Sequence, residues 1–342
     1  RIRSAVPNQP TIVRNSDIIN NSSYGIFLNA AVAAVIDYNL IENNSSWGIW
    51  AYNYTTAAIT HNTILNNGAY GISIEYNSSA NIEENTISGH SSYGIYVSGS
   101  PATTAISNNT ITTTGNYGIY AVNSTLSITA NTIIGTADTI SGFTTEGAIF
   151  VDGTTLFNSR SAISANIITG NQIVVGGQLS QSDTWSSGTY VVDRLTVNAG
   201  ATLTIQADTV VKFVQNGYMT INGTLVADGT AGAIYFTSLL DDTVGAGDGD
   251  TNNDDDATLP EAGDWYRLDF GPGSVDNLLD NVVVRYAGGG GNGAVRIRSA
   301  VPNQPTIVRN SDIINNSSYG IFLNAAVAAV IDYNLIENNS SW

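Results

Sequence analysis

The sequence predicts an all-β fold, a solenoid of parallel strands wound in coils of about 23 residues. Aromatic-Gly-Ile triplets and isoleucines recur together at a nearly constant spacing through the first third of the chain. No segment keeps the 3.6-residue period of an amphipathic helix over a useful length. The apolar runs are short, β-branched and bounded by Asn, Ser, Thr and Gly, which is typical of strands joined by tight turns.

The spacing of the triplets sets the length of one coil. Triplets begin at Tyr24, Trp47, Tyr70, Tyr93 and Tyr117, in steps of 23, 23, 23 and 24 residues. Two apolar series keep the same steps: Val13, Ile36, Ile59, Ile82, Ile106 and Ile128, and Ile18, Ile41, Ile64, Ile87, Ile111 and Ile133. Stacked coils bring equivalent residues to about 4.8 Å. We therefore expect both series to point inward and to be buried by neighbouring coils.

A series of asparagines follows the isoleucines. Its members are Asn39, Asn62, Asn85, Asn109 and Asn131. Asn tolerates the left-handed dihedrals of a tight turn, and stacked Asn amides hydrogen-bond from strand to strand. We expect both roles here, with ligand binding as the alternative use of such a row.

A much longer repeat encloses these coils. Residues 296–342 repeat residues 1–47 letter for letter. We interpret residues 1–295 as one complete unit of a continuous solenoid and residues 296–342 as the start of the next identical unit. A unit that repeats without variation is more often a building element than a catalyst. The expected partners are identical units stacked end to end along one axis, each advancing about 55–60 Å.

The N-x-I…(Y/W)-G-I spacing resembles that of right-handed parallel β-helix proteins, the pectin-lyase-like superfamily, and of short repeats in many bacterial and archaeal surface proteins. Residues 195–212, 220–228 and 233–238 look like coils of the same family. The resemblance implies a right-handed parallel β-helix. It implies architecture more than activity.

Composition indicates the cellular compartment and limits the classes of partner. The chain has no cysteine, 11% charged residues and a net charge of −17, which disfavours nucleic acid and anionic membranes as partners. No apolar run reaches the 18 residues that suggest a membrane span. We expect an extracellular or cell-surface protein. Candidate glycosylation sequons begin at Asn21, Asn44, Asn53, Asn77, Asn123 and Asn222.

An acidic, Gly- and Asn-rich insertion at residues 241–264 is the candidate metal site. Asp250, Asn252 and Asp254 stand at positions 1, 3 and 5 of a calcium-loop pattern, and Glu261 stands at position 12. Position 6 carries Asp255 in place of the usual glycine. The candidate ligands are Asp241, Asp242, Asp250, Asn252, Asp254, Asp256 and Glu261. Oxygen ligands in a flexible loop favour Ca²⁺; the alternative is a solvated acidic loop.

Aromatic residues form a second candidate surface. The residue after each Gly-Ile should face outward because the isoleucine faces inward. That series contains Phe27, Trp50, Tyr96 and Tyr120, with Ser73 between them. Such a row stabilises neighbouring strands by stacking and lateral packing, or it binds glycans or other protein surfaces.

No catalytic constellation emerges from the sequence. Acidic residues of the regular coils are scattered, and His61 and His90 are predicted to be solvated surface residues outside any ladder. We predict a structural repeat unit of an extracellular filament, stalk or giant surface protein, not an enzyme. The first alternative is an adhesin or polysaccharide-binding module. The second is a polysaccharide lyase or glycoside hydrolase, which needs carboxylates brought together from separate coils.

Overall fold

The structure is a computed structural model that describes residues 10–31, 33–112, 115–134, 147–159, 163–164, 166–169, 173–245, 247, 249–252, 254, 257–324 and 328–341. The chain divides into two compact bodies. The N-terminal body comprises Arg1–Ala137 and Glu146–Ile173, and the C-terminal body comprises Asp138–Thr145 and Val174–Trp342. Each body is a β-solenoid in which the described strand pairs are parallel.

The N-terminal body is built from short strands and one helix. They are β1 (Ile12–Arg14), β2 (Asp17–Ile19), β3 (Ile26–Asn29), β4 (Ala34–Asp37), β5 (Leu40–Glu42), β6 (Ile49–Tyr52), β7 (Thr56–Thr60), β8 (Thr63–Leu65), β9 (Tyr70–Glu75), β10 (Ser79–Glu83), β11 (Thr86–Ser88), β12 (Tyr93–Ser98), β13 (Thr104–Ser107), β14 (Thr110–Thr112), β15 (Tyr117–Val122), β16 (Leu126–Thr129), β17 (Thr132–Ile134), β18 (Gly147–Asp152), α1 (Gly153–Ser159), β19 (Ile163–Ser164) and β20 (Ile167–Thr169).

Three parallel sheets wrap the core of this body, and each coil gives one strand to each sheet. The sheets run β1-β4-β7-β10-β13-β16-β19, β2-β5-β8-β11-β14-β17-β20 and β3-β6-β9-β12-β15-β18. The strand register follows the repeat in the sequence: Ile59 lies beside Ile36 in the coil before it and Ile82 in the coil after it. The predicted coil length is therefore confirmed.

The C-terminal body contains longer and less regular strands. They are β21 (Ile173–Leu179), β22 (Asp183–Trp185), β23 (Gly188–Val197), β24 (Thr202–Ile205), β25 (Thr209–Ile221), β26 (Thr224–Asp228), β27 (Ile234–Ser238), β28 (Arg267–Phe270), β29 (Leu278–Asp280), β30 (Val282–Arg285), β31 (Val295–Ile297), β32 (Thr306–Arg309), β33 (Asp312–Ile314), β34 (Ile321–Leu323), β35 (Ala329–Asp332) and β36 (Leu335–Glu337).

Strand β25 organises this second body. Its first half pairs with β27 and its second half with β28. Two rows of strands therefore diverge from it, β27-β30-β33-β36 and β28-β31-β34. The remaining sheet runs β22-β24-β26-β29-β32-β35. The acidic insertion connects β27 to β28 and lies where these two rows part.

The isoleucine ladders form the core of the N-terminal body, as predicted. From Ile36 and Ile41 onward, the members of both series are fully buried. Val13 and Ile18, in the first described coil, are only half-buried. The all-β prediction is confirmed; α1, of seven residues, was not predicted.

The triplet glycines are required by close contact between coils. A Cβ atom on Gly25 would lie 2.7 Å from the carbonyl oxygen of Gly48 and 2.9 Å from Asn44 Nδ2. Gly48 has the same surroundings one coil later, 2.7 Å from the carbonyl oxygen of Gly71. Backbone atoms cannot yield to such a clash, so any larger residue would push neighbouring coils apart.

One predicted role of the asparagine series is wrong. The residue that adopts the left-handed conformation is the one before each asparagine: Tyr38, His61, Glu84, Asn108 and Ala130 have φ between 53° and 56°. The asparagines themselves turn inward and are buried. Their amides are used in hydrogen bonds between coils, so the second predicted role is confirmed.

These bonds form a continuous row, which we call the asparagine ladder. Asn39 Nδ2 donates to Asn62 Oδ1, which is 3.0 Å away, and Asn62 Nδ2 donates to Asn85 Oδ1 at the same distance. The row continues through Asn109 and Asn131 with identical geometry. Each amide also donates to a backbone carbonyl, as Asn62 does to Ile36. Buried amides in this arrangement are well satisfied and fix the register of the coils.

Candidate functional site

The acidic insertion brings three carboxylates together. One oxygen from each of Asp242, Asp250 and Asp254 lies within 4.8 Å of the others. This is the potential metal-binding group among the described residues. The backbone N–H of Asp254 donates to Asp250 Oδ1 at 3.1 Å, which folds the loop back on itself. Carboxylate oxygens at this spacing suit a hard divalent cation.

A buried lysine faces this group, and sequence reasoning missed it. Lys212 lies in β25 and is fully buried. Its Nζ donates to the carbonyl oxygen of Gly249 at 2.6 Å and lies 3.9 Å from Asp242 Oδ1. Burial lowers the pKa of Lys212, while Asp242, Asp241 and Asp250 oppose that shift. The sequence feature that could have revealed this residue is a lysine within the otherwise apolar run of β25.

Asp241 does not join the acidic group, which corrects the prediction. It is buried, and its Oδ2 accepts a bond from Arg285 Nε at 2.7 Å. Arg285 Nη2 lies 2.6 Å from the same oxygen. Thr243 Oγ1 donates to the other oxygen at 2.7 Å, and Thr237 donates as well. These contacts within the protein occupy the carboxylate, so it anchors the loop to β30.

Among the other predicted ligands, Glu261 stands apart from the three carboxylates. Glu261 is exposed and lies outside the group. Its backbone N–H donates to Asp264 Oδ2 at 3.0 Å, and burial raises the pKa of Asp264 to about 6. Asn252 Nδ2 donates to Thr258 Oγ1 at 3.2 Å, and Asp256 lies outside the described residues. The spatial group therefore keeps positions 1 and 5 of the calcium pattern, Asp250 and Asp254, adds Asp242, and leaves out Glu261 at position 12.

Aromatic side chains stack along the sheet that contains β3 and β6, and we call this row the aromatic ladder. Its closest pairs are Phe27–Trp50, with ring centroids 4.4 Å apart, and Tyr120–Phe150, at 4.5 Å. The triplet aromatics stack beside them, as Trp47 does on Tyr70 at 5.2 Å. The predicted stacking is confirmed. Most of the rings, such as Phe27 and Trp50, are half-buried, and Tyr117 and Phe150 are buried, because the rings cover one another.

Ser73 interrupts the ladder at one coil. It is buried and donates to Glu75 Oε1 at 2.6 Å. Tyr70 fills the gap, since its ring stacks on Tyr96 with centroids 5.0 Å apart. The row of rings therefore remains continuous across the position where the sequence lacks an aromatic residue.

His90 is buried and belongs to a ladder, which corrects the prediction of a solvated surface residue. A second row of buried amides runs from Asn44 to Asn67, and His90 takes the next position. The backbone N–H of Asn67 donates to His90 Nδ1 at 3.2 Å. Burial lowers the pKa of His90 to about 4, so the ring is neutral at pH 7.

His61 is exposed, as predicted, but it is paired with charged residues of both adjacent coils. Its Nδ1 lies 3.0 Å from Asp37 Oδ1, and its Nε2 lies 2.8 Å from Glu84 Oε2. Its ring stacks on Tyr38 with centroids 4.5 Å apart. These contacts link three successive turns at the surface.

The predicted glycosylation sequons differ in accessibility. Asn44 is 1% exposed and its Nδ2 donates to Asn67 Oδ1 at 2.8 Å, so its amide is closed to modification in the folded chain. Asn21, Asn77 and Asn123 are exposed, and Asn53 and Asn222 are half-buried.

Arginines of the second copy of the 47-residue repeat form ion pairs with aspartates of the preceding coil. Arg298 donates to both carboxylate oxygens of Asp269, and Arg309 Nε donates to Asp280 Oδ2 at 2.7 Å. Arg1 and Arg3 lie outside the described residues.

Two family profiles match parts of the chain. A profile described as right handed beta helix region matches residues 5–111. A second, described as periplasmic copper-binding protein (NosD), matches residues 65–186. Searches of curated proteins and of solved structures found no match. Within the described part of the chain, no helix has the length and apolarity that a membrane span requires.

The residues present do not fit a copper site. Copper is held by imidazole, thioether and thiolate ligands, and the chain has two histidines, one methionine and no cysteine. Both nitrogens of His61 face carboxylates, while His90 accepts a backbone hydrogen bond inside its ladder. Met219 is buried in the core of the C-terminal body. The described residues therefore provide no group of soft ligands.

Proposed function

Since this chain is a right-handed β-helix repeat protein, we propose that it is a structural repeat unit of an extracellular filament, stalk or giant surface protein. The single observation that carries the proposal is a difference in burial between two copies of the same sequence. Where the structure describes both copies of the 47-residue repeat, they form corresponding strands, for example Leu40–Glu42 and Leu335–Glu337. Their apolar side chains are buried only where a neighbouring coil covers them.

The contrast is clear at equivalent positions. Ile36 and Ile41 are 0% exposed beneath the coil that follows them. Their counterparts Ile331 and Ile336, which no described coil follows, are 38% and 48% exposed. The opposite holds at the start of the repeat, where Ile18 is half-buried and its counterpart Ile313 is fully buried. The same residues are thus buried wherever a coil of the solenoid lies next to them, and a continuous array of identical units would supply such a coil at every copy.

Backbone hydrogen bonding favours the same assembly. The terminal coils of a parallel stack present unpaired strand groups, and such edges are templates for further pairing. A coil of the same sequence supplies the correct register, since Asn39 accepts from the backbone N–H of Ser16 and Asn334 accepts from that of Ser311. Identical units therefore offer each other the contacts already seen within the chain.

A binding function is the first alternative, and the aromatic ladder is the feature that favours it. Half-buried rings such as Trp50 and Tyr96 form a long stripe that suits a glycan or the side of another copy. A carbohydrate-active enzyme is the second alternative. It requires an acid and a base at one place. The three grouped aspartates face a buried lysine rather than an open cleft with paired catalytic groups.

An extracytoplasmic location accompanies the proposal. The periplasmic description of the second matching family suggests it for residues 65–186. The neutral-polar surface and the absence of cysteine are compatible with secretion. The net charge of −17 makes nucleic acid an unsuitable partner.

One substitution made at two sequence-identical positions tests the proposal. In the 342-residue chain, Ile41→Asp should cost several kcal/mol because a charge is buried without a partner. Ile336→Asp should cost much less, because that side chain is half exposed. In a chain extended by one further 295-residue copy, the proposal predicts that the two substitutions become equally destabilising. Thermal and denaturant unfolding measure each difference.

The stability of Ile336→Asp in the extended chain decides whether units stack end to end. If Ile336→Asp stays mild when a further copy follows, no coil covers that face and end-to-end stacking is wrong. Asn43 and its counterpart Asn338 are the matched control positions, because both are exposed and lie two residues after the tested isoleucines. Asn43→Asp and Asn338→Asp introduce the same charge at the surface and should be mild in both chains.

We also propose that Ca²⁺ binds Asp242, Asp250 and Asp254. The grouping of their oxygens is the observation in favour. Lys212 neutralises only part of the charge, and Ca²⁺ takes about six to eight oxygen ligands, some from backbone and water. The ion would close the insertion against β25 and so stabilise the point where two rows of strands diverge.

A further inference from the structure

A cavity of about 300 Å³ lies on the outer face of β25, β28 and β31 in the C-terminal body. Alternate residues of a strand face the same side. Leu268 and Phe270 are buried in the core, so Arg267 and Asp269 face outward. The residues that line the cavity are Tyr218, Thr220, Tyr266, Arg267, Asp269 and Arg296.

The cavity wall is positively charged in a chain whose net charge is −17. Its one carboxylate, Asp269, is already bound by Arg298, with Nε at 2.9 Å from Oδ1 and Nη2 at 2.8 Å from Oδ2. Arg296 Nη1 lies farther away, 3.9 Å from the same carboxylate. The charges of Arg267 and Arg296 are therefore only partly neutralised by the protein.

One nitrogen of each of these arginines also lacks a hydrogen-bond acceptor. Arg267 Nη1 and Arg296 Nε are buried and have no hydrogen-bond partner. A buried charged donor without an acceptor is costly. Burial, the largest cause, lowers the pKa of Arg267; Asp269 opposes that shift, and the neighbouring Arg296 and Arg298 add to it. An anion in the cavity would supply both the charge and the acceptors that these side chains lack once they turn toward it.

The remaining walls suit a ring. The Tyr218 and Tyr266 rings are parallel within 3°, with centroids 6.3 Å apart. Arg267 lies over the Tyr266 ring, 5.6 Å from its centroid. Gly290 leaves room for this guanidinium, because a Cβ atom there would lie 2.5 Å from Arg267 Nη2. The volume is at the lower end of the range for small-molecule sites.

We propose that this cavity binds a small ring-bearing carboxylate, with the carboxylate on Arg267 and Arg296 and the ring against Tyr218 and Tyr266. Two guanidinium groups that each lack one acceptor match the two oxygens of a carboxylate. A dianion such as phosphate fits less well, because Asp269 lies in the same wall and repels the second charge.

Titration of the full chain with defined probes tests the assignment. The probes are benzoate and glucuronate, their uncharged counterparts benzamide and glucose, and inorganic phosphate and sulfate. Calorimetry or ligand-observed NMR should show saturable binding of at least one carboxylate and none of its uncharged counterpart. Binding of glucuronate alone would identify a sugar acid, and binding of benzoate alone an aromatic acid. Arg267→Gln and Arg296→Gln should each weaken binding about tenfold or more.

Two further variants separate a loss of binding at the cavity from a general folding defect. Gly290→Ala retains every charge but displaces the Arg267 guanidinium, so it should also weaken binding. Arg14→Gln removes an exposed arginine of β1 in the N-terminal body, outside the cavity lining, and should leave binding unchanged. The proposal is overturned if neither carboxylate binds saturably or if phosphate or sulfate binds as tightly as the carboxylates. It is also overturned if Arg267→Gln and Gly290→Ala, each folded like the parent, both bind normally.

Discussion

At the scale of single residues, His90 shows how a ladder constrains chemistry. It occupies a position that Asn44 and Asn67 hold in the two preceding coils. Its Nδ1 accepts a backbone hydrogen bond in place of an amide oxygen, and the ring is buried. Protonation would place a charge in the core and remove that acceptor. The ladder therefore tolerates histidine only in its neutral form.

This position predicts a pH-dependent loss of stability. Burial lowers the folded-state pKa of His90 to about 4 from its ordinary 6.5, so between these values the unfolded chain binds more protons. Stability from this residue is complete above about pH 6.5 and is lost as pH falls toward 4, by up to about 3 kcal/mol. His90→Asn restores the amide and should remove this dependence, as measured by denaturant unfolding from about pH 7.5 to about pH 4.

The comparison must be made as a difference between variant and parent. Asp264 has a raised pKa of about 6, so its contribution has the opposite sign and falls as pH rises through the overlapping range. Subtracting the two curves isolates His90. A His90→Asn curve parallel to that of the parent would show that the ring is not held neutral by the fold.

At the scale of elements, each strand is too short to be stable alone. Strands of three to six residues form the regular coils, and each coil buries its isoleucines only against its neighbours. Stability should therefore be shared by adjacent coils rather than stored in any one of them.

The substitution Ile87→Asp tests this sharing. Ile87 is fully buried in β11 between Ile64 and Ile111, so an unpaired charge there should cost several kcal/mol and unfold several coils together. Thr86→Asp changes the adjacent exposed residue and is the matched control. Circular dichroism and thermal melting measure both. An Ile87→Asp protein with the melting curve of the control would contradict the inward assignment.

The acidic insertion gives a prediction at the same scale. Ca²⁺ should raise the melting temperature because it binds only the folded form, and Asp250→Asn with Asp254→Asn should remove most of the gain. Glu261→Gln should leave the gain intact, since Glu261 lies outside the three-carboxylate group. Melting curves with calcium and with chelator measure the effect. Equal curves for the parent protein would exclude calcium binding, and a lost gain in Glu261→Gln would favour the sequence pattern over the spatial group.

The ligands predicted from the calcium pattern and the carboxylates grouped in the structure differ, and the difference shows which contacts can be predicted from the sequence. Ile64 and Asn62 could be placed from spacing alone, because their partners recur one coil away in a constant step. Lys212 lies 37 residues before Gly249 and Arg285 lies 44 residues after Asp241. These partners meet because the insertion interrupts the regular coil spacing. The course of the chain through the insertion has no repeating pattern from which it could be predicted. The left-handed turn residue was misplaced by one position for a different reason. Residues of several types, such as His61, adopt the left-handed conformation at the turn, whereas the buried position beside it needs the amide of Asn62 to hydrogen-bond to the next coil.

At the scale of the whole molecule, the two periods combine into a measurable length. A 295-residue repeat at about 23 residues per coil, with allowance for loops, holds roughly a dozen coils. At about 4.8 Å per coil, successive repeats stacked on one axis should advance about 55–60 Å. Electron microscopy of the native material should show thin filaments with an axial repeat in this range. Short, compact particles with closed ends would contradict the proposed function.

The asparagine ladder also gives the N-terminal body a direction. Between side chains, each Nδ2 donates to the Oδ1 of the following coil and each Oδ1 accepts from the preceding one, as in Asn62 between Asn39 and Asn85, while Nδ2 also donates back to a backbone carbonyl of the preceding coil. The row of side-chain amides therefore has a direction, and its two ends are chemically unlike. A two-fold dimer must join like ends, which would set donors against donors or acceptors against acceptors. Units that stack along the axis as proposed would therefore join head to tail, and a head-to-tail contact that does not close into a ring grows into an open polymer with a fixed polarity.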